Sequence, residues 1–384
     1  MVEPFVAAIP EQALQDLRER IALTRWPAAI GNDDWEAGAA LSYLRPLLER
    51  WQNGFDWRVF ERRLNAFAQF RTALDGHHVH FIHERGKGPR PFPLVITHGW
   101  PGTVIELLPI IPLLTDPASH GGDAGDAFDV VAPSIPGYGF STLPAPGLNA
   151  YRIAELWAEM MTRLGYQRFG AQGGDWGASV STCLGLRSSD RVAGIHLNYI
   201  PGSYRPSLDA NSRPLSGSEE AFLASQSEWA QSEGGYAAIQ RTRPQTLGYA
   251  LNDSPVGLAA WIAEKLRAWT DCEGDLERYF SRDDVLAIVT LYWVTQSMPS
   301  AMRLYFEMRK RPMQLQAGER VNVPCGIARF AKEAPFPPRD WVERGYHVVR
   351  WSEFPAGGHF PAWEQPDLLA RDIREFFRPL RATD

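Results

Sequence analysis

The stretch QGGDWGA, residues 172–178, follows a short apolar run (FGA, 169–171) and opens a helix by pattern. Glycines at 173 and 177 flank one acidic residue at the spacing of a sharp strand-to-helix turn. Such a turn exposes the side chain at its apex, and glycine permits both its strain and close strand–helix packing. The apex residue here is Asp175. A helix N-terminus stabilises a carboxylate. An aspartate that only caps a helix gives the same local pattern, so the surroundings must decide.

Outward from this turn the chain alternates apolar runs with Gly-rich turns. HHVHFIHE (77–84), PLVITHG (93–99), FDVVAPSIPG (128–137) and VAGIHLNYI (192–200) read as strands, with AELWAEMMTRLG (154–165) a helix between two of them. Strands alternating with helices imply a mainly parallel sheet covered on both faces. The first ~70 residues instead read as a helical wrap: Leu14, Leu17 and Ile21 share one stripe, and Phe60, Leu64 and Phe67 another. Residues 201–311 are again helical in pattern. Ser216 and Glu219 form a capping box, and Leu258, Trp261, Ile262 and Trp269 line one stripe after Ser254-Pro255. Strand texture returns in VNVPCGIARF (321–330) and YHVVRWSEF (346–354), followed by a closing helix around 366–377. The expected division is a helical region over 1–70, an α/β core over 71–200 and 312–384, and a helical cap over 201–311.

Two further turns carry chemistry. In GGHF (357–360), after the last strand, His359 suits a general base because an imidazole pKa near ~6.5 lets it accept a proton at neutral pH. Glu333 sits beyond the strand ending in ARF, where it can hold that imidazole in one tautomer. Asp340, on the same connection, is the alternative, and Glu353 belongs to its own strand end. The order nucleophile, acid, base is that of the α/β-hydrolase fold. HGWPG (98–102) ends another strand. The N–H groups of Trp100 and of Trp176 would then form an oxyanion hole. With Asp in place of Ser, attack on carbon gives an alkyl-enzyme ester, which water activated by His359 must hydrolyse.

Composition narrows the remaining classes. The 384 residues carry a formal net charge of −6 with no basic block, which argues against nucleic acid or anionic membrane as partner. No basic leader precedes an apolar core, and no run reaches the ~20 apolar residues of a membrane span. Cys183, Cys272 and Cys325 neither pair evenly nor stand at metal spacing. The expectation is a soluble, cytoplasmic chain with reduced thiols. In HHVHFIH, His78 and His80 fall on one strand face and His77 and His83 on the other, so they do not converge as a metal cage. The Gly-rich pieces GKG and GGDAGDAF lack the context of a phosphate loop. No metal or cofactor is expected.

HGWPG, GGDWG, GYGFS (137–141), ALNDSPVGLAAW (250–261), LYW (291–293) and GGHF together resemble the microsomal class of epoxide hydrolases, including its relatives that act on insect juvenile hormone. The resemblance covers nearly the whole chain, and the 14 tryptophans agree with an aromatic-lined pocket. It implies an α/β-hydrolase fold, and two cap tyrosines that donate to the epoxide oxygen. By matching surroundings these fall on Tyr236, in EGGYAAIQ, and Tyr305, in MRLYFE. The chemistry needs such donors, because the ring oxygen leaves as an alkoxide unless protonated. The resemblance implies a soluble bacterial version without an N-terminal anchor. It would convert an apolar epoxide, aryl ones included, to a vicinal diol. Its partners would be substrate and water, with homo-oligomerisation left open. A haloalkane dehalogenase shares the Asp-Trp pair and the His base, but a halide leaving group needs no acid. A hydrolase-fold binding protein would have no use for Asp175, His359 and an acid.

Overall fold

The computed structural model describes residues 1–208 and 212–381. A nine-stranded sheet runs through it: β1 (Val2–Pro4), β2 (Gln69–Leu74), β3 (His77–Glu84), β4 (Phe92–Thr97), β5 (Phe128–Pro133), β6 (Phe169–Gly173), β7 (Val192–Leu197), β8 (Val321–Phe330) and β9 (Tyr346–Phe354). The spatial order is β1-β2-β3-β5-β4-β6-β7-β8-β9. The pairs from β1 to β5 across β2 and β3 are antiparallel, and every pair from β5 to β9 is parallel. All residues of β5, β6 and β7 are buried, as expected for parallel strands covered on both faces. This is the α/β-hydrolase fold.

Two strands escape the hydrophobic pattern. β2 buries Gln69 and Thr72 beside Leu74, so apolar alternation does not mark it. Gln69 Oε1 is satisfied by His80 Nε2 at 3.0 Å. Asp75 and Gly76, both at positive φ, close the β2–β3 hairpin as an Asp-Gly turn should. β1 is only three residues long, pairs with β2 and is largely exposed.

The N-terminal helices are Glu11–Ala22, Leu41–Asn53 and Trp57–Asn65. The first buries Leu14, Leu17 and Ile21. The third buries Phe60 and Leu64, but Phe67 lies beyond its end and is half-buried. Trp51 Nε1 donates to Thr290 Oγ1 at 2.8 Å in a buried contact, which ties this wrap to the helix Arg282–Thr295. Burying a large side chain of this kind contributes ~1.5–3 kcal/mol each.

Between β7 and β8 the chain forms helices at Gly217–Ser232, Gly235–Thr242, Pro244–Asp253, Pro255–Trp269, Arg282–Thr295 and Met298–Lys310. The Ser216–Glu219 capping box forms with both of its hydrogen bonds. Leu258 and Ile262 are buried as their stripe predicts, while Trp261 and Trp269 are half-buried. Glu219, fully buried, also meets Arg344 Nε at 2.5 Å and Arg213 Nη2 at 3.0 Å. The first of these helices is thus held to the connection before β9.

Candidate active site

The elbow at the end of β6 is built by backbone constraint. Asp175 has φ 45°, a left-handed conformation that costs a non-glycine residue on the order of 1–3 kcal/mol. The helix Asp175–Arg187 starts immediately at it. A Cβ at Gly177 would run into the Thr97 carbonyl oxygen, so that helix can seat directly against β4 only with glycine there. Gly99 answers from the HGWPG turn, where a side chain would collide with Cβ and Oδ1 of Asp175. With nothing in the way, the Trp100 N–H donates to Asp175 Oδ1 at 2.7 Å. Among the described hydrogen bonds the Trp176 N–H makes none to this carboxylate; its indole instead packs on Tyr305 at 4.6 Å.

His359 reaches the elbow from the loop after β9. Its Nε2 lies 3.6 Å from Asp175 Oδ2, and its Nδ1 lies 2.7 Å from Glu333 Oε2. Glu333 follows β8 and is buried. Burial opposes the imidazolium, yet the carboxylates of Glu333 and Asp175 outweigh it and hold the His359 pKa well above the ordinary value. Asp340 is elsewhere: its Oδ2 accepts from the Ser216 hydroxyl at 2.5 Å. Glu353 pairs with Arg329 at 3.3 Å on the β8–β9 edge.

Tyr236 and Tyr305 come from two helices of the segment between β7 and β8, with ring centroids 5.9 Å apart. The Tyr236 ring stacks on the Trp100 indole at 5.1 Å. Burial first, and then the Asp175 charge, raises the Tyr236 pKa above the usual phenol value. Burial, Tyr236 and Asp175 raise that of Tyr305. Both phenols thus sense the Asp175 carboxylate.

The histidines of β3 are not part of this site. His80 lies between Ser134 Oγ and Gln69 Oε1, and His83 Nε2 is 3.0 Å from the Tyr166 hydroxyl. His77 Nε2 accepts from the Ala145 N–H, while His78 is exposed. Three of the four thus serve interior hydrogen bonding.

Residues 2–107 match the family described as epoxide hydrolase N terminus, and residues 93–222 match the alpha/beta hydrolase fold. The chain is 39% identical to epoxide hydrolase 1 of Oryctolagus cuniculus over 98% of its own length and 88% of that protein's. The chain belongs to the epoxide hydrolase family. It is also 46% identical, over 99% of itself and 86% of the relative, to a Stigmatella aurantiaca protein provisionally named an epoxide hydrolase. Among solved structures, the epoxide hydrolase of Aspergillus niger superposes with a TM-score of 0.84 at 30% identity, covering 99% of this chain and 97% of that one.

Three features of this epoxide hydrolase were not read from its sequence. Glu364 accepts hydrogen bonds from the N–H groups of Gly358, Phe360 and Asp271 at 2.8–2.9 Å, clamping the loop on both sides of His359. Trp269 accepts the His359 N–H on its carbonyl at 2.8 Å and packs its ring 5.1 Å from the imidazole. Glu106 is half-buried beside Gly99, whose N–H it accepts at 3.3 Å. Its one sequence signal is a lone acid in the apolar run VIELLPIIPLL. Among the described residues, no single helix of the epoxide hydrolase is long and apolar enough to cross a membrane.

Proposed function

We propose that Asp175 attacks one carbon of an apolar epoxide, aryl ones included, while Tyr236 and Tyr305 donate hydrogen bonds to the ring oxygen. The C–O bond breaks, the ring oxygen takes the proton of one phenol, which solvent later restores, and an ester links Asp175 to the product. Water then attacks the ester carbonyl as His359 Nε2 takes its proton, with Glu333 holding the imidazole through Nδ1. The tetrahedral oxyanion rests on the Trp100 N–H, joined by that of Trp176. Collapse releases a vicinal diol and restores Asp175.

The observation that carries this reading is the pairing of His359 with both Asp175 and Glu333, under two phenols that sense the same carboxylate. It also explains how a raised imidazole becomes a base. Esterification removes the negative charge of Asp175, one of the causes that raise His359. The imidazole becomes less basic in the step where it must be neutral. Two phenols argue against a haloalkane, whose leaving halide needs no proton. The aromatic walls of Trp100, Trp229 and Trp269 around Tyr236 support a bulky apolar substrate.

In this reading residues 201–311 form a cap that supplies the acids, residues 1–70 a helical wrap, and 71–200 with 312–384 the α/β core. A reducing cytoplasm suits Cys183, Cys272 and Cys325, all buried free thiols. A single turnover in oxygen-18 water tests the ester. The first diol should be unlabelled, because its new oxygen comes from Asp175; label in that diol would mean that water attacks the epoxide directly.

A further inference from the structure

The Asp175–His359 pair also borders a space that neither cap tyrosine lines. A cavity of about 20 Å³ lies there, enough for one water, which needs ~10–15 Å³. All of its lining residues fall within 97–198 and 359–362, and none comes from the helices that carry Tyr236 and Tyr305. Its polar wall is Glu106, Gln172, Asp175, Asn198 and His359. His359 Nε2 is buried without a hydrogen-bond partner. Gln172 Nε2 and Asn198 Oδ1 are paired with each other at 2.9 Å, and Asp175 Oδ1 is taken by the Trp100 N–H.

We propose that Glu106 positions the hydrolytic water in this cavity, accepting one of its O–H bonds while His359 Nε2 accepts the other, so that a lone pair faces the Asp175 ester carbon. The role rests on the ester mechanism above. In the step itself, the water oxygen bonds to Cγ of Asp175, its proton passes to His359 Nε2, and the ester C–O pair leaves with the diol oxygen, which takes that proton. Glu106 neither gains nor loses a proton.

The turn that presents Glu106 explains its reach. Gly102 lies under the carboxyl, where any side chain would collide with Oε2, while the Gly99 N–H holds Oε1. Glu106 thereby braces the same turn whose next N–H, that of Trp100, meets the nucleophile. Burial, aided by the Asp175 charge and opposed by His359, raises its pKa to about 8. An ionised carboxylate there would repel the oxyanion that forms on Asp175; a neutral carboxyl can still accept through its carbonyl oxygen.

The two half-reactions separate this role from a structural one. In single-turnover experiments followed by intact-protein mass, Glu106→Leu should slow loss of the ester adduct on the order of 100-fold, the scale of a misplaced reactant. Formation of the adduct, which uses no water, should change less than ~3-fold. Glu106→Gln keeps an acceptor oxygen and should restore adduct loss to within ~10-fold of the wild type. Equal slowing of both steps in the Leu variant, or adduct loss at the wild-type rate, overturns the role and leaves the ester mechanism standing. A wild-type enzyme that forms no adduct overturns both. Should the Leu variant not fold, a high-resolution crystal structure of the wild type decides: a water within hydrogen-bond distance of Glu106 and His359 Nε2 is expected, and a cavity without one overturns the role.

Discussion

Glu333 Oε2 lies 2.7 Å from His359 Nδ1, although 26 residues and the whole of β9 separate the two in sequence. Their contact exists because β8 and β9 are parallel neighbours whose C-terminal ends release both loops at the same edge. Glu333→Gln should lower kcat/KM for diol formation on the order of 100-fold or more, through loss of imidazole orientation and imidazolium stabilisation. Asp340→Asn should stay within ~3-fold, because its partner is the half-exposed Ser216. The opposite ranking in a diol assay would give the triad acid to Asp340.

His359→Gln should leave epoxide opening largely intact and block hydrolysis of the ester. A stable mass adduct of enzyme plus substrate is the expected readout. Steady diol production at the wild-type rate by this variant would remove His359 from the mechanism.

The imidazole should also report the charge on its neighbour. Glu333 and Asp175 both raise the His359 pKa against burial, so Asp175→Asn must lower it, and the neutral imidazole then extends to lower pH. Histidine ring titration by NMR on the wild type and this variant checks the sign. An unchanged or higher value in Asp175→Asn would break the proposed coupling between ester formation and base activation.

Either Tyr236→Phe or Tyr305→Phe should leave measurable ring opening, while the double variant should nearly lose it. Each donor removed is expected to cost on the order of 2–4 kcal/mol in the transition state. The losses need not add, since both phenols serve one oxygen. Rates of adduct formation are the measurement; a double variant as fast as the wild type would rule out the phenols as acids.

Stability should depend on Glu219 in acid. Its hydrogen bonds with Arg344, aided by Ser216 and Arg213 and opposed by burial, hold its pKa down to about 2 from an ordinary 4.5. A depressed carboxylate stabilises the fold fully above the unfolded value and loses that contribution as pH falls from 4.5 through 2. Glu219→Gln should therefore be less stable at neutral pH by ~3 kcal/mol, the scale of a broken buried pair. Chemical denaturation at several pH values should show the gap to the wild type narrowing over that window. A gap independent of pH would mean that packing, not charge, is what the substitution removes.

Local sequence determined the parts that backbone stereochemistry alone dictates. The glycines of QGGDWGA announce a turn only small residues can make, and the structure puts Asp175 at its apex with φ 45°. β8, β9 and the closing helix Pro366–Phe377 were legible to the residue from the pattern of their residue types rather than from burial, since β9 buries only Tyr346. β2 was not, since Gln69 and Thr72 are buried by hydrogen bonding rather than by hydrophobicity.

The site's partnerships were decided only by the tertiary fold. Glu333 and Asp340 stand seven positions apart on one connection, and sequence spacing ranks them only weakly; the direction in which the chain leaves β8 sends one to His359 and the other to Ser216. Glu106 and Glu364 carried no motif at all. A carboxyl acquires such a role from the N–H groups and cavity around it, here supplied by Gly99, by Gly358 and Phe360, and by a space shared with Asp175. The N–H donors lie within one or two turns of chain from these carboxyls, but Asp175, Asn198 and His359 are distant from Glu106 in the chain, and only the packing of the sheet against its loops brings them to one cavity.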